Sequence, residues 1–165
     1  STTTANGPTW PNGCHVCEVE LDPKTGAVGV VSYTSVNDVG RVINPTIVRG
    51  QLDGGAVQGI GQALLEQVVC DEETGQLITG SLMDYALAHA DLMPQMFSTH
   101  MDTSIPCKNN VLGVKGVGEL GTIGATPAVV NAVADALARH GKAPLCSRLQ
   151  MPLTPFRMWQ LMYSA

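Results

Sequence analysis

An α+β domain, a two-layer mixed sheet with helices on one side and hairpins alternating with helices, is what this sequence predicts. Three patterns predict it. Two alternating apolar/polar stretches are joined by Asp22-Pro-Lys-Thr-Gly26, a turn with proline at its second position and glycine closing it. The apolar positions Val48, Leu52, Ala56, Ile60 and Leu64 recur at i+4, the spacing of a helix. Asn44-Pro45, Thr126-Pro127 and Thr154-Pro155 each read as a helix cap followed by proline at the first helical position.

In chain order, Ser1 to Gly13 is rich in Thr, Pro and Gly and reads as an extended lead-in to a domain spanning 14–165. Cys14 to Leu21 alternates as a half-buried strand does, and Val28 to Val36 returns as a β-branched strand, giving an antiparallel hairpin. Cys14 and Cys17 lie three apart in that strand and so face opposite sides. With no second pair at zinc-site spacing, they read as packing residues. From Pro45 to Gln67 the helix holds Gly50, Gly54, Gly55, Gly59 and Gly61, each costing about 1 kcal/mol against alanine, so tertiary packing must offset them. Gln51, Gly55, Gln58 and Gln62 share one face of it. Gln58 and Gln62 read as solvated, and Gln51 reads equally as a solvated residue or a ligand contact.

Val68 to Ser81 predicts a second hairpin, and Met96 to Asp102 a further strand. The apolar run Pro127 to His140 predicts a helix whose polar stripe is Asn131, Asp135 and Arg139, closed by Gly141 at the C′ position. Leu145 to Met151 predicts a short strand, and Pro155 onward a last helix carrying Phe156, Trp159, Leu161 and Met162.

At 165 residues the chain is one domain with room for a real core. Only 14% of residues are charged and 18 are glycine, which points to a chain covered on several sides by other protein. A net charge of −5 without a basic cluster argues against nucleic acid and anionic membrane as partners. Five scattered cysteines suggest no disulfide framework, so a reducing compartment, the cytoplasm, is expected. No apolar run reaches the eighteen or so residues of a membrane span. Ser1 to Gly13 lacks the apolar core of a signal peptide, and the chain reads as cut or processed from a longer one. His15, His89, His100 and His140 have no partner at ligand spacing, so no residue is expected to bind a metal directly.

The most unusual stretch is Gly113 to Pro127, with five glycines among its fifteen residues, one cation (Lys115) and one carboxylate (Glu119). Glycines let backbone approach a ligand, and a loop feeding a helix N-terminus presents N–H donors to an anion. Gly116-Val-Gly-Glu-Leu-Gly121 matches the dinucleotide fingerprint G-x-G-x-x-G literally. That motif needs a helix opening inside it and an acid about twenty residues on at a strand end. With the helix expected at Pro127 and Asp135 inside it, the match fails. The other chemistry this stretch offers is a carboxylate shielded on a rigid loop, suited to taking a proton from a bound hydroxyl.

Val-Lys-Gly-Val-Gly-Glu-Leu-Gly-Thr-Ile-Gly-Ala-Thr-Pro-Ala-Val-Val-Asn-Ala-Val-Ala-Asp-Ala-Leu (114–137) resembles the C-terminal signature of the xanthine dehydrogenase / aldehyde oxidase / carbon monoxide dehydrogenase family of molybdenum hydroxylases. Residues 11–20, 42–45, 50–64 and 151–155 are similar to further blocks of that family, in the family order. The resemblance implies that Glu119 is a general base on a molybdenum-bound hydroxyl, with hydride passing to a sulfido ligand. It also implies that Gln51 contacts a pterin, and that Lys115, Gly116, Val117 and Gly118 line it. The implied substrate is an aldehyde or an N-heterocycle carbon, with water as the oxygen source.

The implied cofactor is a molybdopterin with molybdenum, in the cytosine dinucleotide form. The implied partners are the remainder of the molybdenum subunit, an iron–sulfur subunit with [2Fe–2S] clusters and a subunit holding FAD. The cysteines here lack the C-x₄-C-x₂-C spacing of a [2Fe–2S] domain, so such clusters lie on other chains or domains. Asn109-Asn110 stands where the family pattern has Asn-Pro, and Leu120 where relatives more often have a smaller residue or proline. Beside the hydroxylase reading stand a non-catalytic assembly module, or isolated domain, without activity of its own, and a nucleotide-binding protein.

Overall fold

The computed structural model describes residues 7–163, so the first six residues of the expected lead-in lie outside the described residues. Strands β1 (Asn12–Leu21) and β2 (Val28–Asp38) form the expected antiparallel hairpin. Its turn is closed by an Asp22 N–H to Ala27 carbonyl bond of 2.9 Å, with Gly26 at φ +75°. Between Glu18 and Val19 the register slips: Ser32 pairs with Glu18 and Val30 with Val19, leaving Val31 as an extra residue. This bulge switches the inward phase of β2 from Val28 and Val30 to Tyr33, Ser35 and Asn37. β3 (Met96–Asp102) adds to β2 in parallel, so the sheet is mixed, in the order β1-β2-β3.

Helix α1 (Pro45–Leu64) begins as its sequence predicts, the Asn44 side chain accepting the Ile47 N–H at 3.1 Å. Helix α2 begins earlier than expected: it runs Leu120–Arg139, with Pro127 inside it as its eighth residue. Thr126 therefore caps nothing. Its hydroxyl lies 3.2 Å from both the Thr122 and the Gly59 carbonyls, a bond back to its own helix and a bond across to α1. At the other end, Lys142 N–H to Leu137 carbonyl (2.9 Å) and Gly141 N–H to Ala138 carbonyl (3.0 Å), with Gly141 at φ +77°, close α2 in the Schellman pattern.

The glycines of α1 sit where α2 presses on it. A Cβ on Gly59 would fall 2.8 Å from the Ala125 Cβ, and one on Gly55 3.2 Å from the Gly121 Cα. Thr122 Oγ1 donates to the Gly55 carbonyl at 2.9 Å, so backbone meets backbone along this seam. Gln58 and Gln62 are exposed as expected, yet their side-chain amides reach the threonine hydroxyls of α2, 3.4 Å from Thr122 and 3.2 Å from Thr126. The core gathers Tyr33 with Ala56, Ile60, Ala125, Val129 and Val133. The inward sheet face is thus covered by helices, whereas Val16 (63% exposed) and Val36 (46%) stand bare on the other.

Two further expectations are corrected. Val68 to Ser81 makes the turn of a hairpin but only one bridge, Cys70 with Leu77, because its arms are too short to carry a ladder. Leu145 to Met151 is no strand: Ala143–Arg148 is a 3₁₀ helix held on α2, with the Cys146 thiol 3.3 Å from the Ala134 carbonyl. A short apolar run looks alike in either state, and packing on α2 decided it. Helix α3 (Pro155–Tyr163) starts at Thr154-Pro155 as read. α2 is long and apolar enough by length and composition to cross a membrane. Here its apolar face, Ala125, Val129, Val133 and Leu137, is fully buried in the core.

Candidate functional site

The loop of residues 113–118 is clamped to the end of β2 before it enters α2. Arg41 N–H donates to the Gly113 carbonyl (2.8 Å) and Lys115 N–H to the Val39 carbonyl (3.2 Å). Gly40, at φ +62°, passes so close that a Cβ would lie 2.6 Å from the Gly113 carbonyl. Asn110 brackets Val114 with both ends of its amide, at 3.0 and 3.2 Å, contacts that a proline side chain could not make. The Lys115 ammonium, only 8% exposed, is bonded to the Asp38 carboxylate. That hydrogen bond, foremost, holds the Asp38 carboxyl below the usual carboxylate range. Lys115 therefore spends its charge on the loop's own anchor.

The lead-in strand covers the loop from the other side. Thr9 Oγ1 accepts the Gly116 N–H at 3.1 Å, and Asn109 Nδ2 donates to the Pro8 carbonyl at 2.8 Å. Between them opens a cleft of about 490 Å³. One wall is Thr9, Pro11, Asn12 and Gly13, with His15 behind them; the other is Gly116, Gly118 and Glu119, with Leu120, Ile123 and Gly124 of α2. A hollow of about 400 Å³ beside α3, lined by Arg148 and Arg157, holds no carboxylate.

Glu119 is the residue just before α2, and its side chain makes no capping bond. It is exposed on the rim of the cleft. Its backbone carbonyl accepts the Ile123 N–H at 3.0 Å, the first bond of the helix. The N–H groups of Leu120, Gly121 and Thr122 thus have no partner within α2. Gly118 has nothing within 4 Å of where a Cβ would sit, so a ligand can reach its backbone.

Of the residues singled out from sequence, Glu119, Gly116 and Gly118 line this cleft together. Lys115 and Val117 support it from behind without lining it, and Gln51 stands exposed on α1, one turn before Gly55, outside the cleft lining. No group of three or more His, Cys, Asp or Glu gathers to hold a metal among the described residues.

His15 is the member of the site that the sequence did not reveal. Its Nδ1 lies 2.5 Å from the Tyr33 hydroxyl and its Nε2 3.1 Å from Asn37 Oδ1, while Asn37 Nδ2 donates to Ser35 Oγ at 3.0 Å. Both ring nitrogens thus have a hydrogen-bond partner, Tyr33 at Nδ1 and Asn37 at Nε2. Burial, with a smaller contribution from Cys17, pushes the Tyr33 hydroxyl upward, which keeps it a donor. The partners lie 18 and 22 residues away, and no short motif encodes such a spacing.

Because α2 opens at Leu120, inside Gly116-Val-Gly-Glu-Leu-Gly121, the helix criterion of the dinucleotide fingerprint is met after all. The motif fails instead on its strand: Val114 forms only one isolated antiparallel bridge, with Gly40, and Asp135 stands exposed within α2, 2.6 Å from Arg139, rather than at a strand end.

Residues 1–94 match the molybdopterin cofactor-binding domain family. The chain is 46% identical over 148 residues to the nicotine 6-hydroxylase large subunit of Paenarthrobacter nicotinovorans, covering 90% of this chain and 17% of that one. Among solved structures it resembles the Cu,Mo-CO dehydrogenase in its carbon monoxide reduced state, with TM-score 0.81 and 32% identity over 92% of this chain and 18% of that one. It also resembles quinoline 2-oxidoreductase from Pseudomonas putida 86, with TM-score 0.76 and 39% identity over 87% of this chain and 17% of that one. The chain thus spans about a sixth of the length of the relatives it matches. It belongs to the molybdopterin cofactor-binding domain family found in the large subunits of molybdenum hydroxylases.

Proposed function

We propose that residues 14–165 form the C-terminal cofactor-binding part of a molybdenum hydroxylase large subunit, with Glu119 as its general base. The observation that carries this is the position of Glu119: on the rim of the cleft, beside open backbone at Gly118, with no capping bond to occupy its carboxylate. The donor set suits the cofactor. First-turn N–H groups of α2 without intrahelical partners offer hydrogen bonds to an acceptor-rich pterin, and no side chain competes for them. Bound there, a molybdopterin would supply the two-electron sink of the reaction.

The chain's own residues supply position and proton transfer. Gly116 and Gly118 let the cofactor approach the backbone, and Val117 and the Lys115–Asp38 pair keep the loop in register. Glu119, on a rigid helix terminus, takes the proton of the attacking hydroxyl. The substrate we assign is an electron-poor carbon next to a ring nitrogen, because nicotine and quinoline name two of the relatives; an aldehyde carbon is the second choice. The cytosine dinucleotide form of the pterin, an iron–sulfur subunit and an FAD subunit complete the proposal. A cytoplasmic location belongs to it as well, since all five cysteines are free thiols.

The test is Glu119→Gln in the assembled complex. Turnover is expected to fall by about 10²–10⁴, the range of a lost general base, with molybdenum content unchanged. Near-wild-type turnover at full molybdenum content would leave only the non-catalytic module.

A further inference from the structure

We propose that His15 is a positioning residue for the cleft: its imidazole, locked between Tyr33 and Asn37, is the seat on which the first turns of α2 rest. This inference rests on the reading of Glu119 as the base.

Three observations meet here. The His15 ring lies so close to Gly124 that a Cβ there would run into Nδ1 and Cε1 and fall 2.6 Å from Cγ, so glycine is required at the contact. Gly124 is five residues beyond Glu119, about 7.5 Å along the helix at 1.5 Å per residue. Glu119 itself makes no capping bond, so the helix alone sets where its carboxylate stands. On its α1 side, α2 is held by Gly121 and Ala125; on the cleft side, His15 is the ring that meets it.

The ring is held in turn. Tyr33 and Asn37 are fully buried, and the bonds at 2.5 and 3.1 Å fix the ring's tilt. Both ring nitrogens have a polar partner in Tyr33 and Asn37, so the ring meets Gly124 as a packing surface, with Nδ1 and Cε1 nearest. Its role is geometric, and it takes no proton from substrate.

The experiment is a double-mutant cycle in the assembled holoenzyme, reading kcat, KM, molybdenum content and hydrogen exchange of the Leu120–Gly124 amides. Gly124→Ala alone is expected to lower kcat at least about tenfold, since misplacing a catalytic group by 1 Å can cost 10². KM should stay within about threefold, molybdenum should be retained, and exchange at the start of α2 should quicken. Added to His15→Ala, the same change should cost no more than about twofold further, because the methyl enters space the ring has left. An equal cost of Gly124→Ala in both backgrounds overturns the proposal.

Tyr33→Phe keeps the aromatic volume while removing the bond to Nδ1, and serves if His15→Ala fails to assemble. A kcat fall of about threefold or more at unchanged KM supports the proposal; unchanged kcat and unchanged exchange overturn it. Glu119→Gln in the same series separates the two ideas. If it keeps turnover, the base assignment fails, while the exchange data still report whether His15 seats α2. If it abolishes turnover but the cycle shows no coupling, the positioning role alone fails.

Discussion

Replacing Gly121 by alanine puts a methyl group where α1 and α2 touch backbone to backbone. The added Cβ would lie 2.5 Å from the Ala56 nitrogen and 2.8 Å from the Gly55 carbonyl carbon, and ordinary contact begins at 3.4 Å. The Leu52 carbonyl oxygen is nearer still, so the helices must part by about 1 Å, and none of the atoms in the way belongs to a flexible side chain. Overpacking of this kind costs about 1–3 kcal/mol, against a gain of about 1 kcal/mol from alanine's better helix propensity.

Gly54→Ala is the control: it gains the same propensity in α1 and has nothing within 4 Å of its Cβ. In urea unfolding followed by far-UV circular dichroism, Gly121→Ala should lose up to about 2 kcal/mol, while Gly54→Ala should gain up to about 1. In the assembled enzyme, a shift near 1 Å two residues from Glu119 should also lower turnover by up to about 10². Equal stability for the two variants would refute the close-packed seam and the account of why these glycines are tolerated.

Other outcomes follow from the same structure. Asp38 has its folded pKa depressed by Lys115, so its contribution to stability is present above the unfolded value near 3.9 and lost as pH falls through the lower folded value. A urea series from pH 6 to 3 should show a shallower acid loss in the double variant Asp38→Asn/Lys115→Met, which leaves no buried ammonium unpaired; an identical slope refutes the clamp. Gly26→Ala and Gly141→Ala both force alanine to positive φ, costing about 1–2 kcal/mol each. Only Gly26 also meets α3, its Cβ falling 2.6 Å from the Trp159 nitrogen, so Gly26→Ala should lose about 1–3 kcal/mol more in urea unfolding; equal losses would refute the docking of α3 on the β1–β2 turn.

Much of the fold is legible in the chain because its signals are local. Alternation places β1 and β2, and i+4 spacing places α1. Asn44 and Thr154 mark true helix starts because a side-chain oxygen and a proline act within one turn of themselves. The same logic misplaces the start of α2. Thr126-Pro127 carries the same cap chemistry, but seven helical residues precede Pro127, two of them glycines whose cost is offset only by contact with α1 and His15. A local rule cannot register a stabilisation that arrives from residues 65 or more positions away.

The site divides in the same way. By itself the sequence determined the family, through several blocks in order, and it singled out Glu119, because one carboxylate among glycines is visible without any neighbour. Tertiary structure alone decided that Lys115 is bound to Asp38, that Gln51 stands outside the cleft, and that His15, read as an isolated histidine, forms its back wall. The physical reason is that charge pairing and close packing depend on distances in space. Asp38 is 77 residues from Lys115, and Gly124 is 109 from His15, separations that no periodicity or motif in the chain expresses.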